Sequence, residues 1–197
     1  MQNAFCFMDK KITLFDKTFK PFISHDRISE AIDKVAKKIN DDFTDCQDIP
    51  IILCVLNGSI PFTGELMQRL DFNCQLVSIK MSSYAGTQST GTVVNVTGLT
   101  AEVKDRRIII CEDIIETGNT ILALKEMLRA KGAVDVKICS MLFKPGCYHK
   151  QEKIDYVGME IVNDFIVGFG LDYNELGRNL KDIYVTDFFF SQLRKCL

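Results

Sequence analysis

Two unbroken apolar runs constrain this chain more than any other feature. I-P-I-I-L-C-V-L extends from Ile49 to Leu56, and R-I-I-I-C from Arg107 to Cys111. Neither alternates apolar with polar residues. A strand of this kind has to be covered on both faces, which is the situation of a central strand in a parallel sheet. Both runs stop at polar residues, the first at Asn57-Gly58-Ser59 and the second at Glu112-Asp113.

Helical periodicity fills the gaps between such runs. Ile28, Ala31, Ile32, Val35, Ala36 and Ile39 recur at helical spacing, and Ser24 or Asp26 suits the cap. Pro61 fits the first turn of a second helix, whose apolar face is Phe62, Leu66, Met67 and Leu70. Ile121, Leu124, Met127 and Leu128 mark a third helix, with Gly132 placed to end it. Further strands are predicted at 75–80, 136–143, 156–161, 165–169 and 183–185. Alternating strands and helices give an α/β fold, a mainly parallel twisted sheet flanked by helices. At 197 residues the expectation is one domain, 1–197. In such sheets ligands bind beyond the carboxyl ends of the strands. That rule selects Asn57-Gly58, the segment 112–120, Lys144 and the surroundings of Asp172.

Bulk properties exclude several classes. Net charge is −2, which offers no global basic field for nucleic acid. No apolar run approaches the roughly 20 residues of a bilayer span. The N-terminus lacks the basic-then-apolar plan of a signal peptide, so a cytoplasmic location is expected. Of the eight cysteines, Cys54, Cys111 and Cys139 lie inside apolar runs, and no C-x-x-C pair occurs. With only two histidines as well, reduced thiols are expected rather than disulfides or a zinc site.

The stretch I-I-I-C-E-D-I-I-E-T-G-N-T, residues 108–120, carries the chemistry. It reads as strand, acidic corner, glycine turn and helix start. The first backbone N–H groups of a helix lack intrahelical acceptors, and they bind phosphate with help from the helix dipole. Thr117, Gly118, Asn119 and Thr120 form that turn. Carboxylates beside a phosphate cradle make sense when they serve another part of the ligand. Adjacent acids accept from a vicinal diol or help to hold Mg²⁺. A sugar phosphate with a free diol, bound with Mg²⁺, reconciles the residues. An exposed acidic turn on a capped helix, or an acidic pocket like that of a response regulator, remains open on this pattern alone.

The same stretch resembles the phosphoribosyl diphosphate motif of the type I phosphoribosyltransferases. S-S-Y-A-G-T-Q-S-T-G, from Ser82, resembles the mobile loop of their hypoxanthine-guanine branch, and F-I-V-G-F-G-L-D-Y-N-E-L-G-R-N-L, from Phe165, resembles that branch's purine-site segment. L-N-G-S at 56–59 and Lys144 fall where the branch has its diphosphate loop and purine-reading lysine. These blocks occur in family order from about residue 50 to 185.

The resemblance implies transfer of the phosphoribosyl group from phosphoribosyl diphosphate to a 6-oxopurine base, giving IMP or GMP and diphosphate. It implies Glu112 and Asp113 on the ribose hydroxyls, and Thr117, Gly118, Asn119 and Thr120 around the 5′-phosphate. Glu116 is the implied general base toward purine N7. Asn57, Gly58 and Arg178 are implied contacts to diphosphate. Ser83 and Tyr84 belong to the implied lid, spanning about 82–96. Lys144, Phe165, Ile166 and Asp172 are the implied purine-site residues. A small hood from about 144–180 and the N-terminal segment would cover the base. Glu112, Asp113 and Asp172 are the implied Mg²⁺ environment, and a homodimer or homotetramer the implied assembly. Neither nucleic acid nor membrane is an expected partner.

Two departures stand out: the family usually has Asp where Glu116 stands, and often Lys where Asn119 stands. Two alternatives remain open, a regulator that senses phosphoribosyl diphosphate or nucleotides on the same fold, and a xanthine-preferring transferase.

Overall fold

The computed structural model describes residues 10–44, 48–84 and 93–187. Its larger sheet has six strands. They are β3 (Ile51–Leu56), β4 (Gln75–Tyr84), β5 (Val93–Thr97), β6 (Arg107–Ile115), β7 (Asp135–Phe143) and β8 (Tyr156–Glu160). The order across the sheet is β5-β4-β3-β6-β7-β8. All neighbours are parallel except β5, which runs antiparallel to β4 at one edge.

Three helices cover this sheet: α1 (His25–Phe43), α2 (Ile60–Met67) and α3 (Asn119–Ala130). The apolar runs split by alternation, as strand geometry requires. Ile52, Ile109, Cys111 and Cys139 point into the core beneath α1 and α2. Ile51, Leu53, Ile108, Ile110 and Ile138 point to the opposite face, beneath α3. Continuous apolarity in β3 and β6 is thus the signature of two cores sharing one sheet.

A second sheet has the order β1-β2-β10-β9, built from β1 (Ile12–Leu14), β2 (Lys17–Ile23), β9 (Ile166–Val167) and β10 (Ile183–Thr186). Every pairing in it is antiparallel. It joins the two ends of the described chain, and it packs Phe19, Val167 and Tyr184 into a small core of their own.

Several expected boundaries are corrected. β6 does not stop at Cys111 but continues through the acids to Ile115. The reason is one-sided support: β3 pairs with β6 only to Cys54↔Cys111, whereas β7 pairs on to Ile115↔Phe143. β4 runs to Tyr84 because β5 returns along its outer edge, pairing Ser83 with Val94 and Tyr84 with Val93. The expected 82–96 loop therefore has strand at both flanks, and its middle, 85–92, lies outside the described residues. The expected 165–169 strand shrinks to Ile166–Val167, because Gly168, Phe169 and Gly170 all take positive φ. β1, β2 and β5 were not expected from the sequence.

The start of α1 has a cap that local reading missed. The Ser24 side chain accepts from Arg27 N–H at 3.4 Å. Asp182, from the segment entering β10, accepts from His25 N–H at 2.8 Å. The second bond satisfies an orphan donor and ties the small sheet to α1. Asp182→Ala is expected to lower the Tm by roughly 2–4 °C, the scale of about 1 kcal/mol for a cap in a domain of this size. Asp182→Asn should retain most of that stability, as measured by thermal unfolding monitored with circular dichroism.

Candidate functional site

The strand order places the site. After β3 the chain moves to β4 on one side, and β6 returns on the other. The gap between β3 and β6 is the point where succession reverses, and ligands bind at such points beyond the strand ends. A cavity of about 350 Å³ lies there. Val55 and Leu56 of β3, Met81 of β4, Glu112 of β6 and the run 114–121 line it. Six of the seven residues from 112 to 120 that were expected to act, Glu112, Glu116, Thr117, Gly118, Asn119 and Thr120, share that one wall.

Helix α3 opens into this cavity. Gly118 is its N-cap, with φ 74° and ψ 0°. The first helical bond on its carbonyl comes from Leu122 N–H at 3.0 Å, so the N–H groups before it have no partner along the helix. A side chain at 118 would meet Tyr148: a Cβ there would lie 2.3 Å from Tyr148 Cε2. Glycine is thus required twice, by conformation and by space. Tyr148 was not singled out in the sequence. It sits in the turn after β7, edge-on to Phe143, and its hydroxyl donates to Glu152 O at 2.6 Å.

Asp113 faces the other way. It does not line the cavity but lies against the loop after β3. A Cβ on Gly58 would fall 1.6 Å from Asp113 Oδ2. Asp113 Oδ1 accepts from the N–H of Ile114 at 2.8 Å. The peptide between Leu56 and Asn57, at the head of that loop, is cis.

The two acids are electrically costly. Burial pushes the Glu112 carboxyl well above the usual carboxylate range, and the neighbouring Asp113 pushes it further. Burial also raises Asp113, opposed by the Ile114 N–H and by the Arg178 guanidinium. The upward push is the stronger at Glu112. One oxygen of that residue, Oε2, is buried without a hydrogen-bond partner among the described residues.

The remaining expected residues form a second group. Arg178 donates to Gly170 O at 2.9 Å and pairs with Asp172 at 2.6 Å. Asp172 also accepts from Glu175 N–H at 2.8 Å. Asp172 therefore holds Arg178 rather than joining Glu112 and Asp113. Among the described residues no three His, Cys, Asp or Glu side chains gather as a metal cluster. The two acids of β6 and the Asp172 turn belong to different elements. Gly170 brings this turn close to the site, since a Cβ there would lie 1.9 Å from Gly58 O.

Lys144 follows β7, its N–H bonded to Ile115 O at 2.9 Å. Its ammonium is ion-paired with Glu116. Phe165 is exposed and packs edge-on to Tyr173, with ring centroids 5.6 Å apart. Lys17, from β2, sits 3.7 Å over the Tyr173 ring and 5.3 Å over that of Phe165. Nothing near Phe165 in sequence announces Lys17, which arrives through the β1–β2 hairpin. Ile166 is buried, and its backbone pairs with Val185. Ser83 and Tyr84 lie on β4.

Known proteins are similar to this chain. The family described as phosphoribosyl transferase domain matches residues 23–174. The hypoxanthine-guanine phosphoribosyltransferase of Streptococcus pneumoniae strain R6 is 37% identical over 167 residues, 84% of this chain and 92% of that protein. The enzyme of the same name from Lactococcus lactis subsp. lactis is 44% identical over 137 residues, 69% of this chain and 74% of that protein. A solved hypoxanthine phosphoribosyltransferase from Staphylococcus aureus superposes with a TM-score of 0.76 at 30% identity, covering 85% of this chain and 90% of that one. With Glu112, the glycine turn and the helix start on one cavity wall, the chain belongs to the phosphoribosyltransferase family, in its hypoxanthine-guanine branch.

Proposed function

We propose that the chain transfers the 5-phosphoribosyl group from phosphoribosyl diphosphate to hypoxanthine or guanine, releasing diphosphate and giving IMP or GMP. This is a step of purine salvage. The observation that carries it is the single cavity wall on which a partnerless buried carboxyl oxygen, Glu112 Oε2, stands beside the open N-terminus of α3. An anion and a diol are what such a wall can bind together, and a phosphorylated ribose has both. Relatives that carry the name of this activity, 37% and 44% identical, support the same reading. They favour it over a sensing regulator.

The N–H groups of 118–120 and the hydroxyls of Thr117 and Thr120 hold the 5′-phosphate. Glu112 and Asp113 accept from the ribose hydroxyls. In the reaction the bond from ribose C1 to the diphosphate oxygen breaks, and a bond to the purine nitrogen forms. Positive charge develops on the ribose between the two events. Buried acids fixed close by are preorganised for that charge. Glu116 takes the N7 proton and Lys144 donates to O6. The face of Phe165 and the backbone of Ile166 hold the base, and Ser83 and Tyr84 belong to the lid. Asn57, Gly58 and Arg178 meet the diphosphate, with Asp172 orienting the guanidinium.

Magnesium fits this wall. It commonly binds through one or two carboxylates and substrate phosphates rather than a full protein cage. Glu112 on the wall and Asp113 against the β3 loop are the acids that would hold it, and bound there it would neutralise charge on the departing diphosphate. A cytoplasmic homo-oligomer completes the proposal.

A base panel assayed with phosphoribosyl diphosphate and Mg²⁺ tests the function. Diphosphate release with hypoxanthine or guanine, and little with adenine, is expected. No release with any 6-oxopurine overturns the reading, and release with xanthine alone moves the chain to the xanthine-preferring alternative.

The acid pair gives a second test. Glu112 titrates near ~4.3 when unfolded and well above that when folded. The stability from its retained proton is full below the unfolded value and lost as pH rises through the folded one. At pH 8, far above the unfolded value, keeping this carboxyl in the folded chain costs stability, either as proton uptake or as charge removed from water. Glu112→Gln is expected to melt about 2–4 °C above the parent at pH 8, with the gap closing toward pH 5, while kcat/KM falls at least ~10-fold. A parent more stable than the variant at pH 8 contradicts the burial argument.

A further inference from the structure

Lys144 and Glu116 have unequal surroundings. Lys144 is 4% exposed, whereas the Glu116 side chain is 51% exposed. Among the described residues, Glu116 is the one carboxylate paired with the Lys144 ammonium. The Lys144 backbone is anchored on Ile115 O, the residue before Glu116, so the two side chains leave adjacent strand ends. An ammonium that is buried without a counter-ion costs several kcal/mol. The carboxylate that relieves this cost reaches out from the cavity wall on a two-methylene arm.

From these contacts we infer that Glu116 is a positioning residue for Lys144 as well as a base. Its longer arm holds the ammonium in place before any purine arrives. The inference rests on the proposed function and deepens it, because it assigns base discrimination to position 116. A base then has to enter an existing ion pair. Hypoxanthine does so without loss: O6 accepts from Lys144, and N7–H donates to Glu116. Adenine offers an amino group where the fixed ammonium needs an acceptor. A mobile lysine could swing away from that amino group, but one tied to Glu116 cannot. Shortening the arm by one carbon withdraws the carboxylate by about 1.5 Å, enough to break a hydrogen bond.

Glu116→Asp tests this through kinetics. The KM for hypoxanthine should rise about tenfold while kcat changes less, and the preference in kcat/KM for hypoxanthine over adenine should fall about tenfold. A lowered kcat with both KM and the preference unchanged overturns the inference, leaving Glu116 as a base alone. The free chain supplies a readout independent of turnover, a thermal cycle of Glu116→Gln, Lys144→Met and the double variant. Glu116→Gln should lower the Tm, and adding Lys144→Met should recover part of the loss. Strict additivity of the two single effects overturns the positioning role. If no 6-oxopurine is turned over, the functional reading fails, and the thermal cycle still reports on the pair.

Discussion

The parallel pairing of β3 with β6 reaches only as far as Cys54 and Cys111, and the site depends on where it ends. Beyond that point β6 keeps β7 on one side and loses its strand neighbour on the other. Glu112 and Asp113 are the residues that follow. Alternation along the strand sends them to opposite faces, one into the cavity and one against the β3 loop. If the pairing continued, both acids would be enclosed in a ladder among apolar neighbours. If it ended sooner, the acids would be hydrated and ordinary. The half-supported strand end holds two carboxyls rigidly at low dielectric with one lone pair uncommitted. Function here grows from a defined interruption of regular structure.

Electrostatics explains why such an interruption persists. A partly buried carboxyl pair is a poor source of stability, and the upward push on the Glu112 carboxyl expresses its cost. A structure selected for stability alone would place apolar residues there. Retaining the acids makes sense where the missing partner is a ligand carrying hydroxyls, a metal ion or a developing positive charge. The same logic applies to the open start of α3, whose unpartnered N–H groups await an anion. Acid pair and helix start are two unsatisfied sets with complementary demands, mounted on one continuous segment from 112 to 120. On the proposed function, carboxylates beside a phosphate cradle are no contradiction, because they would meet different ends of one ligand.

Much of this was legible in the sequence, and the boundary follows from the range of the interactions. β3, α1, α2, α3 and β7 announce themselves because local periodicity and burial agree in them. The segment 112–120 was legible because its chemistry is contiguous. What stayed hidden depends on distant partners. β6 looked finished at Cys111, since polarity argued for a corner while β7 continued the ladder. β1 and β2 gave little signal, as a polar-rich hairpin becomes sheet only once β10 pairs beside it. Asp182 capping α1, and Lys17 over Phe165 and Tyr173, join residues more than a hundred positions apart. The departure at Glu116 was visible as an oddity, but its partner was not: only parallel pairing of β6 with β7 brings Lys144 beside it.

The two glycines outside the main motif show how the turn before β10 is registered to the chemistry. Gly58 lies against Asp113, and Gly170 lies against the carbonyl of Gly58. The first contact is to the Asp113 carboxylate and the second is backbone to backbone, so three segments stack at close distance: the acid strand, the β3 loop and the turn that carries Asp172 and Arg178. A contact made by flexible side chains would allow each layer to slide. Backbone against backbone, as where Gly170 meets Gly58 O, does not, because a displacement on the scale of a methyl group already clashes. Arg178 reinforces the stack by donating to Gly170 O, and its charge lowers Asp113 across it. The position of the guanidinium is thereby tied to the position of the acid. On the proposed function, a ligand that orders one of these layers would bear on the others, and the small-residue stack would couple the diphosphate end of the site to its ribose end.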